Sequence, residues 1–251
     1  MFYAKRFFAV VFTCSLLFFN SLSLKAETTS ELNKTDVTEK IANDRADPDA
    51  ANWDIDDLDT AKDIEYLVGI EKDVILEMNK ARSDPKKYAE LYIRPKLEYF
   101  IGKNYSAPGQ ITIATKEGKT AVNNCINSML KMPTVGLLTP ELGMSLAAKD
   151  HVNDQSKTGK TGHTGSDKSS PFKRMERYGS WDTLAGENLA YWYSTGREII
   201  VALLVDDGVT SRGHRTNIMN KSFSKTGVSV GTHPRYGLMC AIEYAAKHTS
   251  N

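Results

Sequence analysis

The spacing of apolar residues changes along this chain, and the change limits its fold more than any other feature. In several separate stretches between about residue 71 and residue 207, apolar side chains recur at helical intervals. Near the C-terminus, GVSVG and LMCAIEYAA alternate in the manner of half-buried strands, and the turn-rich THPRYG joins them. Several helices followed by a terminal strand pair predict an α+β fold, with helices packed on a small antiparallel sheet.

The helical part divides at local signals. In EKDVILEMNKARS, the residues Val74, Ile75, Met78 and Ala81 share one face. Asp84 and Pro85 read as an N-cap and a first-turn proline, restarting a helix through KKYAELYI. Residues 94–118, with Pro95, Pro108 and Gly109, read as irregular, and AVNNCINSML as a further helix. In LTPELGMSLAAKDHVNDQSK the expected cap is Thr139, with Pro140 just inside the helix. STGREIIVALLVDDG offers a capping box of Thr195 and Glu198, with Gly208 as the expected stop. No internal repeat or low-complexity tract is visible.

The N-terminus carries a different message. Lys5 and Arg6 precede an apolar run over residues 7–19, and a polar stretch then ends at Ala26. That pattern predicts a secretory signal peptide at residues 1–26. The rival, an uncleaved anchor, would use a run shorter than the roughly 20 residues that span a bilayer. Cys14 lies inside the run behind bulky Phe12, which argues against a lipid-modified cysteine. Without residues 1–26 the chain has 29 basic and 31 acidic side chains. Cys125 and Cys240 then form an even pair, either bridged in an oxidising compartment or present as two buried thiols. Residues 27–63 hold twelve acids against four bases and show no sustained period, so they read as a flexible acidic leader that Trp53 and Ile55 could dock. The expected globular domain is 64–248, and from Ile64 onward the net charge is about +6. After the signal peptide no stretch is apolar enough to span a membrane.

Three segments place polar chemistry awkwardly. His163 sits in TGHTGSDKSSPFKRM, a Gly- and Ser-rich loop after a helix, where an imidazole can point into a cleft or simply into solvent. Ser169 and Ser170 beside it read as an ordinary Ser-Ser-Pro turn. Glu187 interrupts the small and apolar run LAGENLAYWY, so its carboxylate must be paired, hydrogen-bonded or neutralised. Asp206 ends an inward stripe with Ile199 and Leu203, at a helix C-terminus where the macrodipole disfavours an anion. A cation or histidine facing it would explain both facts, and a solvated carboxylate at a frayed end is the plain alternative. His214 follows in SRGHRTNIMN between Arg212 and Arg215, which read as loop anchors or backbone caps rather than nucleic-acid contacts in a nearly neutral exported chain. His163 and His214 stand fifty-one residues apart, so no local ligand spacing links them. The chain has no G-x-S-x-G elbow, Walker loop or C-x-x-C.

In order, EMNKARSDPKKYA, LTPELGMSLAAKDHVND, GHTGSDKSSPFKRMERYG, AGENLAYW, SRGHRTNIMN and FSKTGVSVGTHPRYGLMCAIEYA resemble the CAP superfamily: cysteine-rich secretory proteins, antigen 5 and pathogenesis-related proteins. The likeness is to its bacterial SCP-like branch and spans roughly residues 70–246. It implies an α-β-α sandwich with a central cleft lined by two histidines and two acids. By motif these are His163, Glu187 and His214, and the fourth position falls at Asp206, where many animal members have Glu. The connection DDGVTSR is longer than in many relatives, which makes Asp207 the alternative. The two remaining cysteines do not reproduce the disulfide sets of eukaryotic members.

Such a cleft suits Zn²⁺ or another divalent cation, or the use of His163, Glu187 and His214 as catalytic acid and base. The resemblance implies a secreted, periplasmic or extracellular binding or host-interaction module without one common reaction. The alternatives are a peptidase-like hydrolase, and a binder of lipid or anionic polymer through Arg212, Arg215, Lys221 and Lys225. Expected partners are an extracellular protein, a lipid or a glycan, with no nucleic acid and no membrane span after signal cleavage.

Overall fold

Trp53 is buried against Tyr92, and its indole N–H donates to the Tyr92 hydroxyl at 2.7 Å. The computed structural model describes residues 52–251; the expected signal peptide and the leader up to residue 51 lie outside the described residues. The end of the acidic segment is thus part of the packed structure. Leu58 and Ala61 are buried with Trp53, and Ile55–Leu58 forms a short helix, α1. Apolar anchors as large as an indole outweigh the exposed carboxylates between them, because a charge left in water costs nothing on folding.

Helix α2, Gly69–Ser83, buries Val74, Ile75, Met78 and Ala81 completely, as its spacing predicts. Asp84 ends it and caps α3, Pro85–Tyr88, accepting the Lys87 amide at 2.9 Å. The chain continues through a π turn at Ala89–Ile93 and a 3-10 turn at Arg94–Tyr99. The segment expected to be irregular then forms a three-stranded antiparallel sheet: β1, Phe100–Ile101; β2, Asn104–Tyr105; β3, Ile113–Ala114. Strands of two residues are too short to display an alternation. Helix α4, Lys119–Met129, follows.

Thr139 departs from its expected role. It does not cap a helix; Thr139–Pro140 is extended as β4. The amides of Thr139 and Glu141 donate to the carbonyls of Ser224 and Thr226 at 3.0 and 2.8 Å. That pairing from distant sequence outweighs a cap worth about 1 kcal/mol. Helix α5, Leu142–Thr158, begins after it and ends on the left-handed Gly159. Ser170 caps α6, Pro171–Glu176, so the Ser-Ser-Pro turn is a helix start.

Strand β5, Gly179–Tyr191, is the largest element without a sequence signal. Helix α7, Gly196–Val205, opens with the Thr195 hydroxyl accepting the Glu198 amide at 3.2 Å. It stops at Asp206, which adopts the left-handed conformation at φ 58°, two residues before the expected Gly208. Helix α8 is Gly213–Ile218, and the terminal hairpin is β6, Lys225–His233, with β7, Gly237–Ser250.

The main sheet has the order β4-β6-β7-β5 and is antiparallel except for the short β4–β6 pair. Strand periodicity deals its residues to two layers. Cys240, Ile242 and Tyr244 join the core formed with α2, α4 and α7. Met239, Ala241 and Ala245 pack on the other side against α5 and α6. The α-β-α sandwich is therefore present. At Gly227 any Cβ would run into the Met144 backbone, so glycine lets α5 lie directly on β6. Cys125 and Cys240 are separate buried thiols, and burial pushes Cys125 up to about 11.

Candidate functional site

β5 is an edge strand, and its alternation sends Glu187 to one face of the sheet and Asn188 to the other. Glu187 lies on the α5/α6 side, directly opposite Glu243 on β7. One of its oxygens is 2.7 Å from His163 Nδ1, and the other accepts Arg174 Nη2 at 2.5 Å. Arg174 comes from α6 and is buried; it also donates to the carbonyls of His163 and Ser169 at 3.1 and 3.2 Å. The loop that carries His163 is tied again one residue earlier. Gly162 donates to the Tyr191 hydroxyl at 3.2 Å, and its carbonyl accepts Gln155 Nε2 at 2.6 Å. The His163 imidazole itself stays half exposed.

The second pair forms on the opposite face. Asp206 Oδ1 lies 2.6 Å from His214 Nδ1, and Oδ2 accepts the His214 amide at 3.0 Å. Of the alternatives left open for the anion at the end of α7, it is a histidine that faces it. Two arginines complete that end: Arg215 donates to the carbonyls of Leu204 and Val205, and Arg212 to that of Asp206. Cations at a helix C-terminus offset the dipole that disfavours Asp206. Arg212 also binds Glu117, whose carboxyl its hydrogen bond lowers to about 2. Asp207 is elsewhere. It accepts the amides of Lys116 and Glu117 at 2.7 and 2.8 Å and fastens the segment before α4.

Between the pairs runs the backbone of β5. Asn188 Nδ2 donates to the His214 carbonyl at 3.0 Å, while Asn217 Nδ2 donates to Asn188 Oδ1 at 2.9 Å and to the Glu187 carbonyl at 3.3 Å. His163–Glu187 and His214–Asp206 are two dyads on either side of one edge strand. Among the described residues, no group of three or more His, Cys, Asp or Glu side chains could hold a metal ion. Both carboxylates are committed to imidazole, guanidinium or amide partners. Each imidazole keeps Nε2, and two such atoms fall short of the three protein ligands of a catalytic zinc. As arranged, the four residues do not fit a zinc site.

Sequence reasoning missed three residues here. Glu243 is fully buried with no hydrogen-bond partner on either oxygen among the described residues, and burial, then the Glu187 carboxylate, push its carboxyl well above the usual range. Its signal was available: it breaks the inward row of Met239, Ala241 and Ala245 as Glu187 breaks its own run. Buried His151, 2.8 Å from the Gly162 carbonyl, is part of an ordinary helical pattern. Arg174 is indistinguishable in sequence from exposed Lys173.

On the His214 side a cavity of about 450 Å³ opens between α7, α4 and the small sheet. Phe100, Ile113, Val122, Trp192 and Val201 supply apolar walls, and Asp206 with His214 a polar end. Trp192 is held at φ 85°, a left-handed conformation that side chains rarely take, with about half its surface exposed.

Two solved bacterial structures are similar over part of the chain. One is an outer surface protein from Borrelia burgdorferi, at 17% identity and TM-score 0.38, covering 44% of this chain and 78% of that one. The other is an extracellular protein containing an SCP domain from Bacillus anthracis str. Ames, at 23% identity and TM-score 0.36, covering 51% of this chain and 40% of that one. No curated protein matches. The model of the cysteine-rich secretory protein family, CAP, matches residues 79–244. That stretch takes in both dyads, β5, β6 and the first part of β7, and the chain belongs to the CAP family.

Proposed function

We propose that this chain acts outside the cell as a binding module, taking a small, mainly apolar molecule into the cavity beside His214 and Asp206. The cavity carries the reading. Its volume of about 450 Å³ lies within the roughly 300–1,000 Å³ of small-molecule sites, which combine apolar walls with a few placed polar groups. The ligand class that suits it is an acyl or similar hydrocarbon chain with one hydroxyl or carboxyl head, the head lying toward the dyad. Export rests on the basic, apolar and small-residue pattern of residues 1–26. Among the described residues no helix is long and apolar enough to cross a membrane.

The test is titration of the protein with a fluorescent fatty-acid analogue, wild type against Ala202→Trp, which fills the cavity from α7. Saturable binding by wild type, weakened at least tenfold in a variant that still folds, is the expected result. Equal binding by the two proteins would remove the cavity from consideration.

A second reading, acid–base hydrolysis, draws on a separate observation. His163 is half exposed and held through Nδ1 by Glu187, which leaves Nε2 oriented as a general base would need. Cleavage of a diverse peptide library by wild type, abolished in His163→Ala, would favour it. An undigested library would dismiss it.

A further inference from the structure

A second opening lies on the far edge of the main sheet from both dyads. β4 pairs with β6 only at Lys225 and Thr226, so beyond that point β6 has a strand on one side alone. Along residues 228–232 this open edge forms the wall of a groove of about 430 Å³. Helix α5 stands on one flank, and the start of α2 with the residues before it on the other.

The direction of the edge groups follows from the bonds that are made. The Thr226 carbonyl accepts the Glu141 amide, and the Val230 amide donates to Glu71 Oε1 at 3.0 Å. Residues 226 and 230 therefore face away from β7, and by the two-residue period so do the backbone groups of Val228 and Thr232. At Val230 a carboxylate takes the place that a neighbouring strand's carbonyl would fill. Among the described residues, the other carbonyls and amides of this edge have no strand opposite them.

Three further features point to a ligand. Tyr66, Val68 and Leu142 expose large apolar surfaces, and all three line this groove. Ser145 lines it too; the residue is 7% exposed, and its hydroxyl is buried with no hydrogen-bond partner among the described residues. A buried orphan of this kind is rare in native proteins and asks for a partner. Lys149, one turn further along α5, presents an ammonium with no ion-pair partner among the described residues.

We infer that this groove binds an extended peptide segment bearing an acidic side chain, which adds to the sheet as a strand beside β6. The backbone edge recognises the main chain of the peptide, as in other cases of strand addition. Tyr66, Val68 and Leu142 cover its alternate side chains, Ser145 supplies a buried polar contact, and Lys149 selects the acid. Five residues of edge correspond to about 16 Å of strand at roughly 3.3 Å per residue, so a peptide of six to eight residues is the natural probe. The site is separate from the cavity beside His214, and neither depends on the other.

The experiment uses the full chain and a labelled synthetic octapeptide of alternating threonine and valine with one central aspartate, read by fluorescence anisotropy. Its twins carry lysine in place of aspartate, or N-methyl groups on alternate backbone amides. Saturable binding of the aspartate peptide is expected, at least tenfold weaker for both twins, with slowed hydrogen exchange at Val228 and Thr232. Lys149→Glu, an exposed change whose folding circular dichroism checks, should reverse the preference toward the lysine peptide. Absence of saturable binding overturns the inference, as does equal binding of the N-methylated twin or an unchanged preference in Lys149→Glu. Exchange that slows with protein concentration alone would make a second copy of this chain the occupant, and would overturn it too.

Discussion

The two faces of the main sheet hold their histidines by different means. On the α5/α6 face, His163 depends on Glu187, which depends in turn on Arg174 from a separate helix and lies opposite Glu243. On the other face, His214 is held by Asp206 only eight residues earlier, within one helix end and the turn after it. The first dyad is a product of long-range packing around buried charge. The second is local, and the apolar core and cavity lie beside it. Both carboxylates are buried and costly unless paired, but Glu187 needs a cation from a separate helix while Asp206 meets its histidine within eight residues, so the first arrangement is the more vulnerable to loss of a distant partner.

The sharpest way to break this comparison is Arg174→Met. It leaves two buried carboxyl groups without their cation, and a loss of about 3–5 kcal/mol is expected from removing one partner of a buried pair. Urea unfolding would measure it, and a loss below 1 kcal/mol would mean that this face is not held by its charges. Asp206→Ala should cost less, about 1–3 kcal/mol for the unmet His214 groups, and should leave the His163 loop unchanged in amide exchange.

Glu243→Gln tests the same face through pH. Native Glu243 keeps a proton that the unfolded chain releases above about 4.5. The folded state therefore binds more protons, and wild-type stability declines as pH rises from there toward the raised native value. The amide cannot ionise, so the variant should be more stable than wild type at pH 8 and equal to it at pH 4, read as Tm against pH. A gain independent of pH would contradict the protonated native acid. Asp207→Ala should have the smallest effect, about 0.5–1 kcal/mol for partly exposed hydrogen bonds to backbone, with amide exchange at His214 unchanged. That outcome would separate Asp207 from its neighbour Asp206.

Much of the site was legible because polar residues in the wrong company are visible without coordinates. Asp206 ended an apolar stripe at the anion-hostile end of a helix, a conflict that a facing cation or histidine would resolve, with a solvated carboxylate as the alternative. Glu187 was conspicuous in a small and apolar run. β5 was not, because Gly179, Gly186 and a register shift between Asp182 and Ala185 interrupt its alternation. Thr139 carried a correct local cap signal that backbone pairing with Ser224 and Thr226 overrode. In the acidic leader Trp53 and Ile55 were visible as docking anchors, but Leu58 and Ala61 were not, and the partner of Trp53, Tyr92, is distant in sequence.

The sequence by itself determined the helices with strong apolar periods, the closing β hairpin, and which side chains could not be left in an apolar setting unpaired. Those properties follow from spacing and from the cost of burying charge, both local to the chain. Only the tertiary structure decided that the four cleft residues form two dyads, that Asp206 and not Asp207 holds His214, and that Glu243 stands beside Glu187. A period states which residues share a face; which helix covers that face, and which strand lies alongside, is decided by contacts between segments far apart in the chain.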